Sequence, residues 1–283
     1  MKLEFDYIII GSGSAGSVLA NRLSASGRFR VLVLEAGGSD KRFWIQTPIG
    51  YGKTFFDPAV NWMYQTEPDP GINNRSSYWP RGKVIGGSSS INAMVYIRGQ
   101  QHDFDDWEAM GNPGWGWRDV LPYFKKSETN SEGGNEFRGD AGPLYVNNVS
   151  DQYHPLCKDF IEAAEQHGFC YNPDFNGAQQ EGVGHYQITA KNGQRMSAAR
   201  AYLHPALKRQ NCEIITHAHV TKINFNGSEA ESVDFLHKGR KCNAKANREI
   251  ILSAGAINSP QILQLSGVGD SKRLNDYHIS PVA

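Results

Sequence analysis

The glycine-rich stretch after the first apolar run constrains the fold more than any other feature of this 283-residue chain. The β-branched run Phe5–Ile10 leads into it, and apolar residues recur at helical spacing after it. The stretch itself reads Gly11-Ser12-Gly13-Ser14-Ala15-Gly16. In a strand, turn and helix of this kind, Gly11 permits the tight turn, Gly13 lets the backbone approach a pyrophosphate, and Gly16 lets the helix pack on the strand. The pattern predicts a dinucleotide-binding unit with phosphates at the helix N-terminus.

An acidic residue completes this pattern. A second apolar strand, Arg30–Leu34, ends in Glu35. A carboxylate about 20 residues beyond the glycines is placed to accept hydrogen bonds from an adenosine ribose. Its charge would repel a 2′-phosphate, which disfavours NADP. NAD and FAD share the ADP half, so this unit alone leaves both cofactors open.

A second stretch of small residues, residues 82–92, reads GKVIGGSSSIN. Three glycines and three consecutive serines contribute little side-chain volume to a core. The stretch therefore indicates that something must come close to its backbone.

The charge balance excludes some classes of protein. The chain has 29 Lys and Arg residues and 29 Asp and Glu residues, so its formal net charge is zero. A neutral chain offers no basic field to nucleic acid or to an anionic membrane, and we expect neither partner. No apolar run approaches the ~20 residues that cross a bilayer, and no signal-type segment opens the chain. These features predict a soluble, cytoplasmic protein without a transmembrane segment.

The remaining pattern indicates an α/β fold. Further helices are predicted at residues 119–127, 154–167 and 197–207. Strands are predicted over Cys212–Phe225, Glu231–His237 and Arg248–Ser253, the first two joined by a turn at Asn226-Gly227. They form an antiparallel meander that leads back into a buried strand, and Gly255 then opens another helix. His217 and His219 would share one face of the first of these strands, but no third ligand is near in sequence, and no metal site is predicted.

Three stretches together resemble the defining motifs of the glucose-methanol-choline (GMC) family of FAD-dependent oxidoreductases. They are the fingerprint ending in Glu35-Ala36-Gly37-Gly38, the stretch 82–92, and residues 255–269, GAINSPQILQLSGVG. The resemblance covers essentially the whole chain. Additional motifs place it nearest the choline dehydrogenase-like branch: Asn61-Trp62, Tyr96-Ile97-Arg98-Gly99, Pro122-Tyr123-Phe124 and Ser197-Ala198-Ala199-Arg200.

The resemblance implies FAD as the cofactor. Gly86 and Gly87 would permit close approach of the flavin, Val220 would meet the adenine through its backbone, and Gly255 would mark the return of the chain to the cofactor. Residues near the flavin's reactive edge would be Asn92, Ala93, Met94 and Val95. The complete set of predicted cofactor-binding residues is Gly11, Ser12, Gly13, Ser14, Ala15, Gly16, Glu35, Ala36, Val84, Gly86, Gly87, Asn92, Ala93, Met94, Val95, Val220 and Gly255.

The resemblance also implies a domain organisation. The expected fold is a Rossmann-like FAD-binding domain with an antiparallel β-meander, plus an incomplete substrate-binding domain. The FAD-binding domain would be discontinuous, formed by residues 1–150 and 213–283. Residues 151–212 would be the first part of the substrate domain. The C-terminal catalytic region of the family would be absent.

Two departures from the family pattern are informative. Some members attach FAD covalently through a histidine in the Gly-Gly stretch, but the matching position here is Ile91, so FAD should be held noncovalently. Family enzymes also carry a histidine base near the C-terminus, and none of the nine histidines here matches that motif. We therefore assign no catalytic residue and expect the chain to be a fragment, inactive by itself.

The implied function is the FAD-binding portion of an oxidoreductase acting on CH–OH donors, with hydride passing from a small-molecule alcohol to flavin N5. The electron acceptor, oxygen or a quinone-type molecule, stays open. One alternative is a non-redox flavin-binding module or a lyase on the same scaffold. Another is an NAD-dependent Rossmann dehydrogenase, although this leaves residues 82–92 and 255–269 unexplained.

Overall fold

The computed structural model describes residues 3–282. These residues divide into two compact units, one formed by residues 3–92 and 197–282 and the other by residues 93–196. The strands are β1 (Leu3–Ile10), β2 (Val31–Leu34), β3 (Tyr64–Gln65), β4 (Tyr78–Trp79), β5 (Glu128–Asn130), β6 (Leu144–Val146), β7 (Ala190–Lys191), β8 (Gln194–Arg195), β9 (Cys212–Ile215), β10 (Ala218–Asn226), β11 (Glu229–His237) and β12 (Arg240–Leu252).

Short and medium-length helices connect these strands. The α-helices are α1 (Ser14–Leu23), α2 (Phe43–Gln46), α3 (Tyr51–Thr54), α4 (Gln101–Ala109), α5 (Trp117–Ser127), α6 (Leu156–Gln166), α7 (His204–Ala206), α8 (Gly255–Leu265) and α9 (Ser271–Asp276). Single turns of 3₁₀-helix span Pro48–Gly50, Pro70–Ile72, Gly87–Ser90 and Ser150–Gln152, and a π-helical turn spans Ala199–Leu203.

The first unit is built on a six-stranded mixed sheet with strand order β10-β11-β12-β1-β2-β9. Strands β12, β1, β2 and β9 run parallel, and β10, β11 and β12 form the antiparallel meander. Strand β12 belongs to both parts, because Lys245 pairs with Ser232 of β11 and Ile250 pairs with Ile8 of β1. The predicted α/β fold with a meander is confirmed.

Alternate residues of the central strands enter two separate cores. Ile8 and Leu32 pack with meander residues and with Ile262 of α8. Ile9 and Val33 pack on the opposite face with Ala20 of α1 and with the 199–206 helical segment. Because both faces are covered, β1 and β2 read as continuous apolar runs rather than as alternating strands.

The meander differs from the sequence prediction in two places. The predicted strand Cys212–Phe225 is two strands, β9 and β10, separated by a turn at which His217 adopts a φ of 54°. His217 therefore lies outside the strand and does not share its face with His219. The third predicted strand begins at Arg240 instead of Arg248, because the polar first half of β12 pairs with β11 through backbone groups that composition does not reveal.

The boundaries of the compact units also differ from the predicted domain boundaries. Residues 197–212, predicted to belong to the substrate domain, pack on α1, where the Asn21 amide donates to the carbonyl oxygen of Tyr202 at 2.8 Å. Strand β9 extends the main sheet beside β2. Residues 93–150 join residues 151–196 in the second unit instead. The assignment of a substrate domain stays a prediction.

The second unit contains α4, α5, α6 and two small strand pairs, β5 with β6 and β7 with β8, together with a buried ionic cluster. The carboxylate of Glu128, whose side chain is 0% exposed, contacts the guanidinium groups of Arg98 and Arg138. Arg138 also pairs with Asp174 at 2.6 Å. Arg98 and Arg138 are themselves only 2% and 1% exposed, so the charges compensate one another within the unit.

Within residues 3–282, no helix combines the length and the apolar character required to cross a bilayer.

Candidate cofactor-binding site

A cavity of about 840 Å³ lies in the first unit at the carboxyl ends of the parallel strands. The last residues of β1, β2 and β12, which are Ile10, Leu34 and Leu252, all line it. Open α/β sheets bind ligands at this edge, and the volume lies in the range typical of small-molecule and cofactor sites.

The glycine turn brings β1 to the N-terminus of α1 at this edge. Gly11 adopts a φ of 96° and donates its N–H to the carbonyl oxygen of Leu34 at 2.9 Å, which joins the ends of β1 and β2. A Cβ on Gly16 would lie 2.0 Å from the carbonyl oxygen of Gly11, so only glycine allows α1 to pack this closely. Helix α1 has no side-chain cap at Gly13 and no acidic residue in its first turn. Its first N–H groups are therefore suited to an anion.

Three glycine backbones pack against one another beside this helix. A Cβ on Gly87 would lie 2.8 Å from Cα of Gly13, and a Cβ on Gly82 would lie 2.2 Å from the carbonyl carbon of Gly87. Gly13, Gly82 and Gly87 all line the cavity. The three form a wall of bare backbone, which we call the glycine wall. Close backbone contacts within the protein thus already require glycine at positions 82 and 87, whether or not a ligand is bound.

The Glu35 carboxylate holds the turn in place. Its Oε2 accepts hydrogen bonds from the backbone N–H of Ser12 at 2.9 Å and from the Ser12 hydroxyl at 2.6 Å, and its Oε1 accepts from the N–H of Gly37 at 2.8 Å. Burial raises the pKa of Glu35, although these hydrogen bonds act in the opposite direction. A carboxylate has about four lone-pair sites, so about one, on Oε1, is left for a ligand.

An aromatic group forms another side of the cavity. The Trp62 ring stacks on Tyr64 with centroids 5.9 Å apart and contacts His219 at 5.7 Å. Lys83 Nζ lies 4.7 Å from the Trp62 ring centroid. Burial, with Lys83 as a second cause, lowers the pKa of His219, which favours the neutral imidazole. Tyr64 is fixed by Asn258, whose amide nitrogen lies 2.8 Å from the phenol oxygen.

The predicted cofactor-binding residues divide into those that line this cavity and those that do not. The lining residues are Gly11, Gly13, Ser14, Ala15, Glu35, Ala36, Gly87, Val220 and Gly255. Four others lie behind the lining and support it: Ser12, Gly16, Val84 and Gly86.

The four residues predicted near the reactive edge lie at a unit boundary. Asn92 ends the first segment of the first unit, whereas Ala93, Met94 and Val95 open the second unit. Met94 is 4% exposed, adopts a φ of 63° and accepts a hydrogen bond from the Thr189 N–H at 2.8 Å. Their role at a flavin stays a prediction.

Some lining residues were not singled out from the sequence: Tyr64, Arg81, His219 as a pocket residue, and Asn258. Arg81 and Asn258 do lie in or directly beside the recognised motifs. No periodicity or spacing marks Tyr64 or His219 as a cavity-lining residue, because their place in the cavity depends on how segments distant in sequence pack together.

With this geometry described, the chain can be placed in a class. A profile of the GMC oxidoreductase family, for its N-terminal domain, matches residues 5–282. The chain belongs to this family. GMC oxidoreductases are FAD-binding flavoproteins, so the predicted cofactor is confirmed at the level of the family.

Individual relatives agree with this placement. The chain is 47% identical over 281 residues to an alcohol dehydrogenase [acceptor] of Pseudomonas putida and 44% identical over 288 residues to the mitochondrial choline dehydrogenase of Mus musculus. Among solved structures, pyridoxine 4-oxidase from Mesorbium loti superposes with a TM-score of 0.94 at 34% identity. The matches cover 98%, 99% and 98% of this chain but 51%, 48% and 54% of the respective relatives. The chain therefore spans about half the length of these relatives.

Proposed function

We propose that the chain is the FAD-binding portion of a flavin-dependent oxidoreductase that acts on the CH–OH group of a small alcohol. The observation that carries this proposal is the meeting of the α1 N-terminus, the glycine wall and Glu35 in one cavity. The relatives named as alcohol and choline dehydrogenases support the substrate class.

The residues present fit the cofactor. A Cβ on Gly13 would meet no protein atom closer than 4.0 Å, so a diphosphate has room beside the free N–H groups of α1. The remaining lone pair of Glu35 suits one ribose hydroxyl. Val220, Trp62 and His219 provide apolar and aromatic surface for the adenine. When bound, the flavin would supply the two-electron acceptor for oxidation of the alcohol.

The chain's own residues have a binding role in this proposal. The turn held by Glu35 directs N–H donors at the diphosphate, and the buried strand ends exclude water from the nucleotide. Ile91 is 2% exposed within a cluster with Ile45, Val60 and Val84, so the position that carries a tether in some family members is an apolar core position here. The cofactor would be held without a covalent bond.

Ligand binding tests this proposal. Protein purified without added cofactor should show a flavin absorption spectrum. After removal of the flavin, the apoprotein should bind FAD and ADP more tightly than FMN or NAD, as measured by fluorescence quenching and calorimetry. Failure to bind FAD together with tight binding of NAD would favour the NAD-dependent dehydrogenase instead.

A second measurement separates redox chemistry from a lyase or a non-redox flavin module. The complete natural gene product, loaded with FAD, should lose its flavin absorption when choline or a primary alcohol is added without oxygen. An unchanged spectrum across a panel of aliphatic, aromatic and quaternary ammonium alcohols would contradict alcohol oxidation.

A further inference from the structure

We propose that Arg81 is the cation that binds the cofactor diphosphate, acting together with the N-terminus of α1. The inference rests on the proposed FAD site. Arg81 lies outside the glycine fingerprint and was not among the residues expected to bind the cofactor.

The charge distribution of the cavity points to this residue. Among the described residues that line the cavity, Arg81 is the only lysine or arginine and Glu35 the only carboxylate. A diphosphate ester brings about two negative charges, whereas a helix N-terminus offers about half a positive charge. Glu35 forms no ion pair with Arg81, and its oxygens accept hydrogen bonds from Ser12 and Gly37 instead. A fixed cation in this cavity therefore complements the diphosphate.

The backbone places Arg81 beside the phosphate turn. Gly82, the next residue, is in the glycine wall, and its N–H donates to the Ser88 hydroxyl at 3.1 Å. Through Gly82 and Gly87, Arg81 is connected to Gly13 at the start of α1 by direct backbone packing. The cationic side chain thus starts within one residue of the surface that the diphosphate would occupy.

A buried asparagine fixes the Arg81 backbone. Asn61, 2% exposed, accepts the Arg81 N–H on Oδ1 at 3.0 Å, and its amide donates to the carbonyl oxygen of Phe55 at 2.8 Å. On the other side, the Arg81 carbonyl oxygen accepts the Trp62 N–H at 2.8 Å. Because the backbone is held from both directions, it has little ordering entropy left to lose when an anion binds to the side chain.

The guanidinium group retains donors for a ligand. Its Nη1 donates to the carbonyl oxygen of Pro80 at 2.7 Å, and its carbon lies 5.6 Å from the Trp79 ring centroid. Within residues 3–282, Arg81 makes no ion pair with a carboxylate. A guanidinium has five N–H donors in a planar arrangement that matches phosphate oxygens. The nearby Lys83 differs from Arg81 in this respect. Its ammonium lies over the Trp62 ring, and the residue does not line the cavity.

Binding measurements on the apoprotein test the assignment. We would measure dissociation constants of FAD, ADP and adenosine for the wild type, Arg81→Gln, Arg81→Lys and the control Arg75→Gln, at an exposed arginine that does not line the cavity. Arg81→Gln should weaken FAD and ADP by about 10- to 100-fold, as expected for loss of a hydrogen-bonded charge, and leave adenosine unchanged. Arg81→Lys should recover part of the affinity, and Arg75→Gln should bind ADP like the wild type. The affinity of Arg81→Gln for ADP should also depend less on salt.

The outcomes are distinguishable. Equal affinities of wild type and Arg81→Gln for ADP would overturn the assignment, provided that the wild type binds FAD. Equal losses for adenosine and ADP would also overturn it, because they would indicate a distorted cavity instead of a lost phosphate contact. A wild type that binds neither FAD nor ADP would instead refute the proposed function. The melting temperature of each variant shows whether it is folded. Arg81→Lys keeps the positive charge and so separates loss of the charge from misfolding.

Discussion

The Glu35 carboxylate and Ser12 are joined by two hydrogen bonds to the same oxygen, one from the Ser12 backbone at 2.9 Å and one from its hydroxyl at 2.6 Å. An acidic residue predicted to bind a ribose thus also fixes the conformation of the glycine turn between β1 and α1. The two roles are coupled, because a change at Glu35 alters both a ligand acceptor and the position of the N–H donors.

Replacement of Glu35 by alanine should therefore weaken FAD binding. We expect a loss of roughly 1–3 kcal/mol, because the variant removes a charged acceptor and leaves the Ser12 and Gly37 N–H groups without their partner. Flavin fluorescence titration measures the effect. Ser12→Ala, which keeps the backbone N–H donor to Glu35 and deletes the hydroxyl, should lose less. Wild-type affinity in Glu35→Ala would show that the cofactor does not depend on this carboxylate.

The stability of the apoprotein should depend on pH through the same residue. Burial raises the pKa of Glu35 above its ordinary value of 4.5, so the folded state binds the proton more tightly than the unfolded state does. Its contribution to stability is then complete below the unfolded-state value and is lost as pH rises through the raised pKa. In urea unfolding of the apoprotein from pH 4.5 to 8, wild type should become less stable relative to Glu35→Gln as pH rises. The opposite trend would mean that the three hydrogen bonds outweigh burial.

Two glycines of the fingerprint should respond differently to substitution. A Cβ on Gly13 would meet no protein atom closer than the Gly87 Cα at 4.0 Å, whereas a Cβ on Gly16 would meet the Gly11 carbonyl oxygen at 2.0 Å. Gly13→Val should remove FAD binding with a small change in melting temperature. Gly16→Ala should lower the free energy of unfolding by about 1–3 kcal/mol through overpacking. A similar melting temperature for both variants would contradict the close packing of α1 on the turn.

The flavin should be released by denaturation. Because the Ile91 side chain is buried in an apolar cluster and has no nucleophilic atom, acid precipitation of the yellow protein should leave the colour in the supernatant. Absorption spectra of the pellet and supernatant measure this. Colour retained in the washed pellet would show a covalent bond at another residue.

The ionic cluster of the second unit should be strongly sensitive to loss of its anion. Glu128→Gln would leave the buried Arg98 without a carboxylate partner and Arg138 with Asp174 alone, and we expect about 3–5 kcal/mol of destabilisation. Urea unfolding is the measurement. Glu162→Gln is the matched control, because Glu162 forms an exposed pair with Lys158 on the surface of α6, and it should change stability little. Equal effects of the two variants would argue against this account of the cluster.

Local sequence patterns were sufficient to predict the elements that we propose to bind the nucleotide. The strand, turn and helix around Gly11–Gly16, and the strand ending in Glu35, are set by short-range conformational rules and by burial on both sheet faces, so their order along the chain predicts their position in space. The strong family motifs added the expectation of FAD. Strand boundaries were less accurate where polar pairing replaced hydrophobic alternation, as in β12.

Tertiary packing decided the remaining features of the fold and of the candidate site. The sequence by itself determined the glycine turn, the acidic strand end and the family, because each depends on residues close together in the chain. Only the folded structure brought Gly82, Gly87 and Gly13 into backbone contact, placed Arg81 and His219 in the cavity, and joined Arg98, Glu128 and Arg138. Several of these contacts, such as Gly13 with Gly87 and Arg98 with Glu128, join residues tens of positions apart, and no local pattern specifies which distant backbone or charge will be the partner.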